Sequence, residues 1–258
     1  MERRTFVGAS VAALGAPMSA ATGAAVEPLE QFLLRTYTLK SAKLPILDDY
    51  LSKAFIPAVK RQNIGGPVGV FVETPQKQDV RVFVLVVHKN ADSAATMNRT
   101  LVVDREYVDA AKSYLDAKAS DPVYQRIESS LLLAIDGMPR LVPYDVAKPR
   151  LFNLRIYESH NERAAAKKIE MFEKGEIDVF KKVGLTPVFF ASSVIGAAQP
   201  NLTYMLVFPD EAERQASWNR FRAHPDWLRL KAIPEYADKE IVSKITNYIL
   251  TPTAYSEI

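Results

Sequence analysis

The chain runs twice through the same succession of hydrophobic periodicities. Over residues 33–39, and again over 151–158, apolar and polar positions take turns, the period-two pattern of a half-buried strand. The period then lengthens. Leu51, Ala54, Phe55 and Ala58 in the first pass, and Ile169, Phe172, Ile177, Phe180 and Val183 in the second, fall on one helical face. Gly65-Gly66 and Gly184 follow as helix stops, glycine being favoured just past a helix C-terminus. Pro57 sits inside the first helical pattern, where its missing N–H predicts a bend or a division. Strands are expected over 68–73 and 81–88, and over 187–194 and 202–208. Asp210 suits the N-cap of a helix over 211–222, and Asp92 or Ser93 that of its counterpart. A last strand is expected at 130–135 or 140–144 in the first pass, and at 241–250 in the second.

The order is β-α-β-β-α-β, twice. That is the ferredoxin-like split unit, an antiparallel sheet with both helices on one face. A sheet so covered has a second apolar face that must be buried. With two units in one chain, the economical arrangement packs sheet against sheet, as a pseudo-twofold sandwich or barrel. Sequence identities support the duplication. Phe32-Leu-Leu-Arg-Thr-Tyr37 matches Phe152-Asn-Leu-Arg-Ile-Tyr157 at Phe, Leu, Arg and Tyr, an offset of 120. Past the first helix the best match shifts to 121, pairing Ile56 with Ile177 and Phe83 with Tyr204. Asp121-Pro-Val-Tyr124 aligns with His224-Pro-Asp-Trp227 at 103, so the first unit holds 18 extra residues, read as an added helix around 104–115.

Composition narrows the class. Apolar residues at 48% and charged residues at 24% describe an ordinary globular chain. The net charge of +3 is too small and too dispersed for a nucleic-acid footprint, and basic pairs such as Lys167–Lys168 and Lys181–Lys182 alternate with Glu162, Glu170, Glu173 and Glu176, the pattern of a solvated helix face. With no cysteine, disulfides and thiolate chemistry are excluded. At the N-terminus, Arg3 and Arg4 precede a short apolar run from Gly8 to Leu14 and then small residues through Ala25, the layout of an export signal of twin-arginine type. The organisation expected is therefore a signal peptide over 1–25, a first unit over 28–147 and a second over 150–258. Export to the periplasm or cell envelope follows, with a soluble chain once the signal is removed.

A family resemblance attaches to the second unit. Leu154-Arg-Ile-Tyr-Glu-Ser-His160, Gly184-Leu-Thr-Pro-Val-Phe-Phe190, Pro200-Asn-Leu-Thr-Tyr-Met-Leu206 and Pro225-Asp-Trp227 stand in an order and spacing that resemble the NIPSNAP family. The first unit is similar but more divergent, keeping Leu34-Arg-Thr-Tyr37 and Asp121-Pro122-Val-Tyr124. The resemblance implies an α+β fold of the dimeric α/β-barrel type, here formed by two tandem ferredoxin-like domains as a pseudo-dimer. Haem-binding proteins and cofactor-free monooxygenases also use that fold. It implies no settled activity, and fold alone does not establish one.

Candidate chemistry collects at the end of the fifth strand. Alternation sends Arg155, Tyr157 and Ser159 to one face and Leu154, Ile156 and Glu158 to the other. His160 reads either as a base or axial ligand reaching between sheet and helices, or as a solvated loop residue beside Asn161, which would cap the next helix. His88 is expected in a loop and His224 at a helix start. Tyr157, Phe189, Phe190, Tyr204, Trp218 and Trp227 read as core aromatics or as the lining of a pocket. The site candidates are thus His160, Tyr157, Glu158 and Tyr204. No metal site and no cofactor is expected, haem being the one group the fold type raises. The function expected is binding of a small apolar ligand or of a protein partner, with a homodimer as a further assembly. The alternative is a haem-dependent or cofactor-free oxygenase.

Overall fold

A computed structural model describes residues 28–75 and 78–258; the N-terminal segment read as an export signal lies outside them. In chain order the first half contains β1 (Gln31–Lys40), α1 (Leu44–Asp49), α2 (Ile56–Arg61), β2 (Val68–Glu73), β3 (Asp79–His88), α3 (Ala91–Leu101), α4 (Arg105–Ala110), α5 (Lys112–Leu115) and β4 (Arg126–Ala134). The second half contains β5 (Leu151–Glu158), α6 (Glu162–Met171), α7 (Ile177–Val183), β6 (Thr186–Ile195), β7 (Asn201–Phe208), α8 (Glu211–Ala223), α9 (Pro225–Lys231), α10 (Asp238–Ile241) and β8 (Lys244–Pro252).

The eight strands close into one antiparallel barrel in the order β1-β3-β2-β8-β5-β7-β6-β4. Within each half the order is fourth, first, third, second. The seams are β2 on β8 and β4 on β6, so neither half has a free sheet edge there. Closure explains the continuous apolar runs of β3 and β7, which are buried on both faces. One side chain set packs one end of the lumen, including Phe32, Phe71, Phe83, Phe152, Phe189, Met205 and Leu250. The opposite faces carry two further cores, one under the helices of each half.

Local chemistry accounts for the helix ends. Asp210 accepts from Glu213 N at 2.8 Å and Asn161 from Ala164 N at 2.9 Å. The counterpart of Asp210 is Asn90, two residues before Asp92 and three before Ser93, and it is Ser93 N that donates to it. Gly184 ends α7 with φ 80°, a conformation glycine adopts without a Cβ penalty. Before Pro57 the first helix widens into a π-helical turn, Tyr50–Phe55. The same widening recurs at Phe172–Glu176 without any proline, so it belongs to the repeated unit rather than to Pro57.

Several expectations are revised. The last strand of the first half is β4, beginning at Arg126, and residues 140–144 form no strand. Ile241 ends α10, and β8 starts only at Lys244. His88 is no loop residue: it is fully buried at the end of β3, with Nδ1 2.9 Å from Ser93 Oγ. Strand register also corrects the repeat. β1 pairs Arg35 with Val84, and β5 pairs Arg155 with Tyr204. The structural counterpart of Tyr204 is thus Val84 at an offset of 120, not Phe83, which points into the lumen. A slip of one residue exchanges the two faces of a strand, so the distinction decides where the hydroxyl goes.

Candidate functional site

The inward-facing positions change character along the barrel. Each series runs from apolar to polar toward the same end: Phe32-Leu34-Thr36-Thr38 in β1, Phe152-Leu154-Ile156-Glu158 in β5, and, read in reverse, Val87-Leu85-Phe83-Arg81 in β3 and Leu250-Tyr248-Thr246-Lys244 in β8. β4 and β7 repeat it, ending in Ser130-Glu128-Arg126 and Thr203-Asn201. Adjacent strands are antiparallel, so this gradient requires the sequence to place its polar residues at alternate strand ends. It does so in all six.

The apolar end is packed solid. The polar end opens into a cavity of roughly 600 Å³, within the range of small-molecule sites. Leu34, Phe83, Leu132, Ile156 and Tyr248 form its apolar walls. Above them stand Thr36, Thr38, Ser130, Thr203 and Thr246. The rim is charged with both signs. Lys244 Nζ lies 3.2 Å from Glu158, and Arg81 lies 3.5 Å from Glu73 with its guanidinium 5.6 Å from the centre of the Tyr248 ring. Arg126 and Glu128 complete the rim. Both halves contribute, so the cavity exists only in the closed barrel.

The sheet divides the four residues singled out from sequence. Glu158 belongs to this rim. Tyr157 and Tyr204 lie on the outer face, where Tyr204 Oη donates to Tyr157 Oη at 3.0 Å. Burial raises the Tyr204 hydroxyl well above the usual tyrosine range, so it remains a protonated donor. Arg155 Nε and Nη2 donate to the same Tyr157 oxygen at 3.2 and 2.9 Å. Beneath Tyr157, Lys168 Nζ meets Glu176 Oε2 at 3.1 Å in a wholly buried ion pair. Burial pushes the Glu176 carboxyl up from its ordinary value, and Lys168 pulls it only partly back. His160 is exposed at the turn before α6, where Asn161 is the capping residue.

Sequence reasoning missed the cavity-lining threonines, Arg81, Lys244 and the Lys168–Glu176 pair. The threonines of β1 had a signal, namely hydroxyls at the alternate positions Thr36 and Thr38, in phase with Phe32 and Leu34. The ion pair had none: Lys168 and Glu176 belong to the charge pattern expected on a solvated helix face, and the structure buries both. The expected ligand space between sheet and helices is occupied by side chains in both halves, including Phe172, Phe180 and Tyr204, except for a groove at its rim beside Arg155. Of the three histidines, His88 is buried against Ser93, His224 caps α9 by accepting from Asp226 N at 3.2 Å, and His160 faces solvent. None lines the cavity or the groove. No histidine is therefore placed to ligate a haem iron in either. Among the described residues no group of three or more His, Asp or Glu is placed to hold a metal ion.

A NIPSNAP family model matches residues 152–257, so the second half carries a NIPSNAP domain. Solved structures resemble nearly the whole chain. A protein of Lactobacillus acidophilus, provisionally named a monooxygenase, superposes with a TM-score of 0.56 at 10% identity, over 87% of this chain and 94% of its own. A Fusobacterium nucleatum protein with the same provisional name gives 0.55 at 7% identity, over 87% and 92%. An anthrone oxidase-like protein gives 0.55 at 7% identity, over 90% and 97%. At such identities the likeness is one of fold, an α+β barrel of the dimeric α/β type. Comparison with curated proteins finds no match.

Proposed function

We propose that this chain is a small-molecule binding protein whose ligand enters the polar mouth of a barrel made by two tandem ferredoxin-like units. The observation that carries the reading is the lumen gradient, which leaves half the barrel open and lines it with hydroxyls above apolar walls. A barrel of this size needs no such opening for stability, because its other half is filled by side chains throughout. The ligand chemistry follows from the lining. An apolar portion rests on Leu34, Phe83, Leu132 and Ile156, and a polar head meets the threonines and the mixed-sign rim. A zwitterionic or neutral amphipathic molecule suits it better than the wholly apolar ligand expected from sequence. In this reading the protein is exported through its N-terminal segment and works in the cell envelope.

Octanoylcarnitine, a zwitterion with a short acyl tail, is a suitable probe. Thermal unfolding is measured with and without it, for the native chain and for Thr246→Trp, which fills the cavity. Ligand-linked stabilisation should raise the melting temperature of the former and leave the latter unmoved. Native mass spectrometry on protein purified from its own cells tests for a co-purified molecule. A chain that carries none and does not respond to the probe would remove the basis for the reading.

The second reading is a cofactor-free oxygenase. It is favoured by fold neighbours named as monooxygenases and an anthrone oxidase-like protein, and by the Tyr204–Tyr157–Arg155 chain on the outer face. Dioxygen uptake with anthrone as substrate, lost in Tyr204→Phe, would support it; no uptake would retire it.

A further inference from the structure

We infer that the second half carries a separate binding site, for a small aromatic carboxylate, in the groove where the outer face of β5 and β8 meets α8 and α9, with Arg155 as its anchor. The site is independent of the barrel mouth, because the sheet stands between them.

Arg155 is a half-buried cation whose partners are neutral. Its guanidinium lies 4.6 Å from the Trp218 ring centre and 5.3 Å from that of Tyr157. Its hydrogen bonds go to the Tyr157 hydroxyl and, at 3.4 Å, to Asn247 Oδ1. Among the described residues no carboxylate comes within 4.0 Å of it. The acid whose field reaches it, Glu176, is paired with Lys168, and Asp238 stands at the groove's edge. A guanidinium removed from water without an anion is a costly arrangement, and a planar fork held rigidly by stacking is suited to a carboxylate. The groove around it, roughly 630 Å³ and open to solvent, has aromatic walls in Trp218, Phe221 and Trp227, and further cations in Arg222 and Lys231.

The first half shows what belongs there. Arg35 and Tyr37 repeat Arg155 and Tyr157 in the same register, since β1 pairs Tyr37 with Ile127 as β5 pairs Tyr157 with Ile245. Arg35 also lacks a carboxylate among the described residues, but Tyr37, Tyr50 and Tyr114 crowd its guanidinium. Tyr107 and Tyr114 come from α4 and α5, the insertion that the second half does not have. Tyr114 stacks on Tyr50 with ring centres 3.8 Å apart, and the Tyr50 and Tyr107 hydroxyls lie 3.1 Å from each other. The inserted helices thus cover one Arg-x-Tyr pair with aromatic rings whose hydroxyls burial keeps neutral. Over Arg155 the same place is a groove. An external molecule of like shape, carrying a full negative charge to match the additional cations, completes it.

The assay is built into the chain. Its two tryptophans, Trp218 and Trp227, both line the groove, so intrinsic fluorescence reports on it directly. Titration with phenylacetate should give a saturable change. The neutral isostere phenylacetamide should bind about tenfold or more weakly, the usual worth of a charge-assisted pair. Arg155→Met should abolish the response, Arg155→Lys should weaken it, and Thr36→Leu in the barrel mouth should leave it unchanged. Circular dichroism establishes that each variant is folded; should Arg155→Met not fold, the comparison of acid with amide on the native chain decides. Absence of saturation with phenylacetate, equal binding of the amide, undiminished binding by folded Arg155→Met, or inorganic phosphate binding as tightly as phenylacetate would each overturn the inference. Failure of octanoylcarnitine to bind would not bear on it.

Discussion

Lys168 and Glu176 offer a test in which the protein supplies its own control. Their side chains are 1% and 2% exposed and 3.1 Å apart. At the offset that pairs Ile56 with Ile177, the first half has Leu47 and Phe55 in their places, both buried in its core. The fold therefore accepts either an ion pair or two apolar residues there. At an effective dielectric of about 20 the attraction across 3.1 Å is on the order of 5 kcal/mol. Lys168 Nζ gains more from the Phe172 and Tyr157 rings, whose centres lie 4.9 and 5.2 Å away. Against this stands a desolvation cost of several kcal/mol for each ion, so the intact pair nets close to zero against an apolar pair. Removing one member leaves the other charge buried and alone. Lys168→Met and Glu176→Leu should each cost roughly 3–5 kcal/mol, whereas the double substitution should return to within about 1.5 kcal/mol of the native chain. Urea unfolding followed by circular dichroism measures all four corners of the cycle, with equal slopes required before energies are compared. The pH dependence adds a sign. Because burial raises the Glu176 carboxyl above 4.5, the stability it contributes is fully present below that value and lost as pH rises through the raised one. The double variant should lack that decline. Single substitutions costing under about 1 kcal/mol, or a double cost equal to the sum of the singles, would refute the account.

Three further outcomes are expected. A Cβ on Gly69 would stand 2.6 Å from the buried Phe71 ring and 3.0 Å from Ile258 Cδ1, so Gly69→Ala should cost about 1–3 kcal/mol in urea unfolding; a neutral result would mean the closed end of the barrel is loosely filled. Hydrogen bonds from Gln62, Tyr107 N and Arg61 hold the Asp104 carboxyl at about 2, so its stabilisation is complete above 3.8 and lost as pH falls toward 2. Asp104→Asn should flatten that acid limb, and an unchanged limb on acid titration would count against the assignment. Tyr204→Phe removes one hydroxyl while Arg155 keeps Tyr157 in place, and a loss of about 1 kcal/mol is expected in the urea midpoint. A loss several times larger would show that the hydroxyl pair organises the whole outer core.

Much of the architecture was legible in the chain because it rests on local rules. Strand alternation, the caps at Asp210 and Asn161 and the stop at Gly184 are decided within a few residues of each position, and the structure places those elements where the pattern put them. Alternation also separated Glu158 from Arg155 and Tyr157 correctly. The sites were not legible, because each depends on which strand lies beside which. The pairing of Arg155 with Tyr204 follows from strand register, and sequence matching alone set Tyr204 against a residue on the opposite face. Lys168 and Glu176 are eight positions apart, about 12 Å along a straight helix, and they meet across a π-helical turn that no periodicity announces. The lumen gradient was written in the strands as polar residues at alternate positions near one end, yet it becomes a cavity only when six polar ends are gathered at one mouth by antiparallel closure. Whether an Arg-x-Tyr pair is covered or open depends on an insertion far along the chain. Short-range hydrogen bonding and the alternation of side chains belong to the sequence by itself; the juxtaposition of distant charges and hydroxyls belongs to the ring of strands, because only closure brings them within reach of one another.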